Sequence, residues 1–363
     1  MKPYKFIISG GGTGGHIYPA IAIADKLKQT FPDAKILFVG ALGKMEMLQV
    51  PKAGYAIKGI WISGFQRSSF LKNILFPLKL VVSFFQSAFI LLSFKPDFAI
   101  GTGGFASGPI LFISHYLKIK TLIQEQNSYA GITNRVLANR VDLIAVAFEG
   151  LDRFFPKDKI TITGNPIREA LFISKNKRAI ARSNFNLDIT KRTLVVLGGS
   201  LGAKKINQTI AAHLPLFFKF NIQLIWQCGK LYYDQYEKYN EDHNVQVYPF
   251  IQDMDLLYAA ADVLVSRAGA SSISELAVIG KPVILIPSPN VADNHQFHNA
   301  QALAKAGGAL VLIEQDIDQE FEKYFKRLLK VDEDLVQDEF VKFARPNATQ
   351  DIVGLIINKL NRN

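Results

Sequence analysis

The sequence predicts an α/β chain of two facing Rossmann-like domains, each with a parallel sheet, and a ligand cleft between them. Three observations carry that expectation. Apolar runs end in glycine-saturated turns at Gly10-Gly11-Gly12-Thr13-Gly14-Gly15, Gly101-Thr102-Gly103-Gly104 and Gly198-Gly199-Ser200-Leu201-Gly202. Apolar runs of about five residues alternate with amphipathic stretches of about ten or more, which calls for parallel strands joined by crossover helices. The alternation occurs in both halves of the 363 residues, a length sufficient for two separate cores.

Taken in order, the first-half strands are expected near residues 5–9, 35–39, 97–100, 120–124 and 142–146. The first runs into a turn whose glycines accept positive φ, and a helix starting near Ile17 turns its positive dipole end toward that turn, an arrangement suited to an anion. The stretch Phe70–Phe94 has an uncharged run of 15 residues from Leu80 to Phe94, short of the roughly 20 needed to span a bilayer. It reads either as a buried core helix with its preceding loop, or as an apolar surface rimmed by Arg67, Lys72 and Lys79 that rests among lipid headgroups. Thr163-Gly164-Asn165-Pro166 breaks regular structure, so the boundaries are set at 1–164 for the first Rossmann-like domain and 165–344 for the second. Second-half strands are expected near 193–197, 221–226, 244–248, 262–265 and 282–286. Ser200 and the N–H groups of Leu201 to Ala203 would meet phosphate oxygens at a helix start, with Arg168 neutralising charge. After Val263-Leu264-Val265, the small residues of Ser266–Glu275 let backbone approach a ligand, and Glu275 is suited to accept from ribose hydroxyls. Arg345-Pro346-Asn347 interrupts the pattern before a last helix over 348–360, in a segment 345–363 expected to pack back on the first domain.

Composition narrows the partners. The net charge of +11 is concentrated in residues 1–165, where 19 Lys and Arg face 9 Asp and Glu. That half therefore faces a polyanion. The sequence carries no nucleic-acid-binding signature, which leaves an anionic membrane surface. The single cysteine, Cys228, excludes an internal disulfide and reads as a buried apolar residue in a reducing compartment. A core strand within about five residues of Met1 leaves no room for a secretory leader, so the protein is expected in the cytoplasm.

Gly10-x-Gly12-x-x-Gly15 formally matches a dinucleotide fingerprint, but the second strand ends in Gly40-Ala41 where a ribose-binding acid belongs. A nucleotide-sugar suits two glycine turns in two domains better. Asp253-Met254-Asp255 has the form of a metal-binding pair, yet its place before Leu256-Leu257-Tyr258 reads as helix N-terminal decoration. No metal and no cofactor are expected.

Six motifs then become specific together: Gly-Gly-Thr-Gly-Gly-His at 11–16, Gly-Gly-Phe-Ala-Ser-Gly-Pro at 103–109, Glu-Gln-Asn at 125–127, Gly-Asn-Pro-Ile-Arg at 164–168, Gly-Gly-Ser-Leu-Gly-Ala at 198–203 and Ser-Arg-Ala-Gly-Ala at 266–270. In this order and spacing the chain resembles the MurG family of N-acetylglucosaminyltransferases over nearly its whole length. The resemblance implies a GT-B fold and an inverting, metal-independent transfer of N-acetylglucosamine from UDP-N-acetylglucosamine to the 4-hydroxyl of the muramyl sugar of lipid I. The products would be lipid II and UDP, made for peptidoglycan at the cytoplasmic face of the inner membrane by a peripheral protein. It places Thr13, Gly14, Gly15 and Asn127 near the donor sugar and diphosphate, Arg168 and Ser200 on the phosphates, and Ile251 against uracil through its backbone. Ala270, Ser271 and Ser272 would line the nucleotide, Glu275 would hold ribose and Gln296 the sugar. Gln124 and His295 depart from the family pattern, where histidine and glutamine are often seen. Inverting transfer also needs a base for the acceptor hydroxyl. His16, with an ordinary pKa near neutrality, is the leading candidate and Glu125 the alternative. The rival readings are a GT-B enzyme with another lipid acceptor, a UDP-N-acetylglucosamine 2-epimerase and a non-enzymatic basic binding protein.

Overall fold

A computed structural model describes residues 3–64, 74–167, 171, 177–199, 201–291, 294–305, 307 and 309–361. The chain divides into two compact units, Met1–Ile167 with Asn347–Asn363, and Arg168–Pro346.

Unit 1 contains β1 (Lys5–Ser9), α1 (Gly14–Thr30), β2 (Lys35–Ala41), α2 (Glu46–Lys52), β3 (Ala56–Ile60), α3 (Phe76–Phe94), β4 (Phe98–Gly101), α4 (Ser107–Tyr116), β5 (Lys120–Glu125), α5 (Ile132–Leu137), β6 (Leu143–Val146) and β7 (Ile160–Ile162). All strand pairs are parallel, in the order β3-β2-β1-β4-β5-β6-β7. Central strands such as Phe6-Ile7-Ile8 and Phe98-Ala99-Ile100 are fully buried. Helices on both sheet faces require such continuous apolar runs.

Unit 2 contains α6 (Arg178–Asn184), β8 (Arg192–Leu197), α7 (Lys204–Ala212), α8 (Leu214–Lys219), β9 (Ile222–Gln227), α9 (Tyr233–Tyr236), β10 (Val245–Tyr248), α10 (Met254–Ala260), β11 (Val263–Ser266), α11 (Ala270–Ile279), β12 (Val283–Leu285), α12 (His295–Lys305), β13 (Ala309–Val311), α13 (Ile317–Leu328) and α14 (Glu333–Phe343). Its parallel sheet runs β10-β9-β8-β11-β12-β13. The chain then returns to unit 1 as α15 (Ala348–Asn361), where Ile352, Val353 and Ile356 join Ile17, Ala20, Ile23, Ala24 and Leu27 of α1 in one core. The Lys120 ammonium caps α15 by donating to the carbonyls of Lys359 (3.0 Å) and Leu360 (3.3 Å), and Lys359 pairs with Asp142 at 2.9 Å.

Two expectations change. The first helix begins at Gly14, with Thr13 extended at its N-cap, so the glycine turn itself supplies the first helical residues. The apolar helix α3 is not a core helix: its buried positions include Ser83 and Ser87, while Leu78, Val81, Phe85, Phe89 and Leu92 face outward. The serine hydroxyls donate back to the helix's own carbonyls, Ser83 to Leu80 and Ser87 to Ser83, each at 2.7 Å. Their burial therefore leaves no unpaired hydroxyl.

Candidate functional site

Strand order reverses once in each sheet, between β1 and β4 and between β8 and β11. Loops beyond the carboxyl ends of strands that flank such a switch are where open parallel sheets bind ligands. The glycine turns occupy these places.

In unit 1 the turns after β1 and β4 interlock. A Cβ at Gly104 would stand 2.3 Å from the Gly11 carbonyl oxygen, and one at Gly103 2.9 Å from the His16 ring. Both glycines also have positive φ, so space and backbone conformation demand the same residue. Thr102 donates its hydroxyl to the His16 carbonyl at 2.8 Å, and Gln126 donates Nε2 to the Thr102 carbonyl at 2.7 Å. Gln124, the departure noted in the sequence, is fully buried and donates to the Asn165 side chain at 2.9 Å. Asn165 in turn donates to the Gln126 carbonyl at 3.0 Å. The loops after β1, β4, β5 and β7 thus form one hydrogen-bonded edge carrying Thr13, Gly14, Gly15, His16, Glu125 and Asn127.

His16 lies in the first turn of α1 with Nδ1 3.0 Å from the Gly11 carbonyl and 3.4 Å from the Thr13 hydroxyl. Glu125, the second candidate for the base, has a different setting. One oxygen accepts from the Asn127 backbone N–H (3.0 Å) and side chain (3.2 Å), the other from the Gly131 N–H (2.9 Å) and Asn134 Nδ2 (2.8 Å). Four donors on one buried carboxylate make it a staple of the loop.

In unit 2 the turn after β8 packs on the loop after β9, since a Cβ at Gly202 would stand 2.1 Å from the Cys228 carbonyl oxygen. The Gly202 N–H is used inside the turn, donating to the Gly199 carbonyl at 3.0 Å, so it is not among the donors open to a phosphate. Arg168 and Ser200 lie outside the described residues, as do Arg67 and Lys72. Gln227, not singled out in the sequence, joins two of the ligand loops: its Nε2 donates to the Gly199 carbonyl at 3.3 Å, and its Oε1 accepts from the Ile251 N–H at 2.9 Å. After β11 the extended Gly269 starts α11. Ala270 is buried, and the Ser271 hydroxyl is buried with no partner among the described residues, an orphan that a ligand at this helix start would satisfy. Ser272 and Glu275 follow on the same helix, Glu275 accepting from the Tyr258 hydroxyl at 2.9 Å. Gln296, in the first turn of α12, accepts from the Ser288 N–H at 2.9 Å.

The Asp253-Met254-Asp255 segment starts α10, and Asp255 pairs with Lys177 at 2.9 Å. Burial raises the Asp255 carboxyl, but the bond and charge of Lys177 outweigh it and hold the group below its ordinary value. Among the described residues, no cluster of three or more His, Cys, Asp or Glu is placed to hold a metal ion. Beside the glycine turn after β8, burial pushes the Cys228 thiol up to about 11.

Residues 6–146 match the glycosyltransferase family 28 N-terminal domain and residues 193–349 its C-terminal domain. The chain is 55% identical over 98% of both lengths to the UDP-N-acetylglucosamine--N-acetylmuramyl-(pentapeptide) pyrophosphoryl-undecaprenol N-acetylglucosamine transferase of Flavobacterium psychrophilum, and 51% identical over the same shares to that of Christiangramia forsetii. The chain belongs to glycosyltransferase family 28 and, within it, to the MurG family.

Among solved structures, this family 28 transferase is similar to the crystal structure of Acinetobacter baumannii MurG, with a TM-score of 0.77 and 27% identity over 98% of this chain and 100% of that one. The UDP-GlcNAc 2-epimerase of Neisseria meningitidis shares the fold at a TM-score of 0.66 and 17% identity over 98% and 100%. The fold is therefore GT-B, and the full-length relatives rather than the fold separate transferase from epimerase. The sequence pointed to the glycine turns but not to Gln227 or Glu46, which hold them. A carboxylate flanked by Met45 and Met47 was the one available signal for Glu46.

Proposed function

We infer that this chain transfers N-acetylglucosamine from UDP-N-acetylglucosamine to the muramyl sugar of N-acetylmuramyl-(pentapeptide) pyrophosphoryl-undecaprenol. Full-length identity of 55% to a transferase so named carries the reading. In it, unit 2 binds the nucleotide through the starts of α7 and α11, and unit 1 supplies the base. His16 takes the proton of the acceptor hydroxyl as that oxygen attacks the anomeric carbon from the face opposite the diphosphate. The bond from that carbon to the diphosphate oxygen breaks with its electron pair, UDP departs, and configuration inverts. Backbone N–H groups and helix dipoles meet the developing charge as fixed donors. The test is UDP release from UDP-N-acetylglucosamine with and without a lipid I analogue, with EDTA in both. Acceptor-dependent, EDTA-resistant release with a disaccharide product is expected. Release without acceptor would replace the reading with a hydrolase or epimerase.

The polyprenyl chain of such an acceptor favours a reaction at a membrane, and α3 supports peripheral docking there. Phe85 and Phe89 are 74% and 70% exposed on an outward stripe. Phe84 is not part of it, packing on Phe112 at 5.1 Å. Cations border the patch, with the Arg140 guanidinium over Phe112 and the Lys79 ammonium over Trp61. The helix is long and apolar enough to cross a bilayer by length and composition. Its inner positions, however, pack against α4, so it is read as lying in the headgroup region.

A further inference from the structure

Glu46, the first residue of α2, is fully buried, and the chemistry above does not use it. One oxygen accepts from the Ala41 N–H at 3.0 Å, the other from the Gly12 N–H at 2.9 Å. The protein makes room for it: a Cβ at Gly11 would stand 2.2 Å from this carboxylate, and one at Gly40 2.4 Å from its Cγ. The acid that a dinucleotide fold sets at the end of β2 is missing at Gly40-Ala41, and the next acid in the chain turns back beneath the glycine turn instead.

The Gly12 N–H and the Gly11 carbonyl belong to one peptide unit. That carbonyl is 3.0 Å from His16 Nδ1 and can only accept, so Nδ1 carries the proton and the lone pair of the neutral ring lies on Nε2. Carboxylate, peptide and imidazole thus form one line of hydrogen bonds in which each polarises the next. We propose that Glu46 is a positioning residue that acts through the Gly11–Gly12 peptide to fix the tautomer of His16 and stabilise its imidazolium. Among the described residues, the acids that bond to the loops around the ring are Glu46 of α2, on the Gly12 N–H, and Glu125 at the end of β5, on Asn127, Gly131 and Asn134. Glu125 accepts from Asn134, whose Nδ2 lies beside the same Gly103 position as His16 Nε2. Thr13, on the turn itself, is neutral.

The catalytic consequence rests on His16 being the base; the coupling does not. With ring-labelled histidine in the full-length wild type, nitrogen shifts above the His16 pKa should report the Nδ1–H tautomer. Finding the Nε2–H tautomer overturns the proposal without any variant. In E46Q the pKa of His16 should fall by roughly 0.5–1 unit as a nearby anion is removed. kcat should fall by about tenfold, part of the 10²–10⁴ expected of a general base, with donor KM within about twofold. E46D, which keeps the charge but reaches only one of the two N–H groups, should recover part of the pKa. An unchanged His16 pKa in folded E46Q overturns the coupling. A shifted pKa with unchanged kcat supports the coupling and removes His16 as the base.

Discussion

Glu46 and Glu125 are both buried acids beside the first glycine turn, and their partners assign them different work. Among the described residues, the Glu125 carboxylate is bonded by its own loop and α5, so Glu125→Gln should set an amide N–H₂ against an N–H donor and cost about 1–3 kcal/mol. Calorimetry should show this as a lower Tm of unit 1, with the pH dependence of kcat kept. His16→Ala should instead lower kcat by about 10²–10⁴-fold with little change in Tm. Turnover that survives while donor affinity falls would make His16 a binder. Cys228, pushed up to about 11 by burial, should resist thiol reagents at pH 8 until the protein is unfolded; rapid labelling of the native protein would contradict its burial. At this scale the sequence exposes what touches a ligand better than what holds it. Glycines declare themselves by composition, whereas Glu46 and Gln227 are ordinary polar residues whose partners lie on other loops.

Elements were legible where both faces are buried. The strands missed by periodicity are β3, β7 and β13, and each lies at the edge of its sheet. An edge strand is covered on fewer sides, and these three are broken or short: β3 reads Ala-Ile-Lys-Gly-Ile, and β7 and β13 have three residues each. Periodicity also failed to orient α3, because a helix apolar all round does not say which face is inside. Phe85→Asp with Phe89→Asp should weaken cosedimentation with anionic vesicles by about tenfold or more while sparing the Tm. Unchanged binding would reject this helix as the docking face. At α15, burial raises the Asp142 carboxyl, but bonds from Lys359 and Thr121 outweigh it and hold it below its ordinary 3.8. A lowered folded pKa stabilises above the unfolded value, and that contribution disappears as pH falls through the folded one. Lys359→Met should therefore lower unit 1 stability at pH 7 and flatten its loss of stability below about pH 4. An acid limb identical to wild type would show that the pair contributes nothing.

For the whole molecule, the excess positive charge lies in the half that carries α3, with 19 basic against 9 acidic residues over 1–165. Salt and lipid composition should therefore govern association more than turnover of a soluble acceptor. The two units should also respond separately. UDP at about a hundred times its Kd should stabilise unit 2 by about 2.7 kcal/mol, whereas truncation after Pro346 should act on unit 1. That truncation removes Ile352, Val353 and Ile356 from the core, worth roughly 1.5–3 kcal/mol each. Two calorimetric transitions, one moved by UDP and the other by truncation, are expected; a single transition moved by both would show one cooperative body. The return of α15 to unit 1 also sets an order of events during translation. Residues 1–167 leave the ribosome early, but the helix that covers α1 follows only after 168–346 has been made, a delay of roughly ten to thirty-five seconds at about 5–20 residues per second. Throughout that interval the nascent chain displays Ile23, Leu27 and their neighbours uncovered, and the unit made second is the first able to close its core.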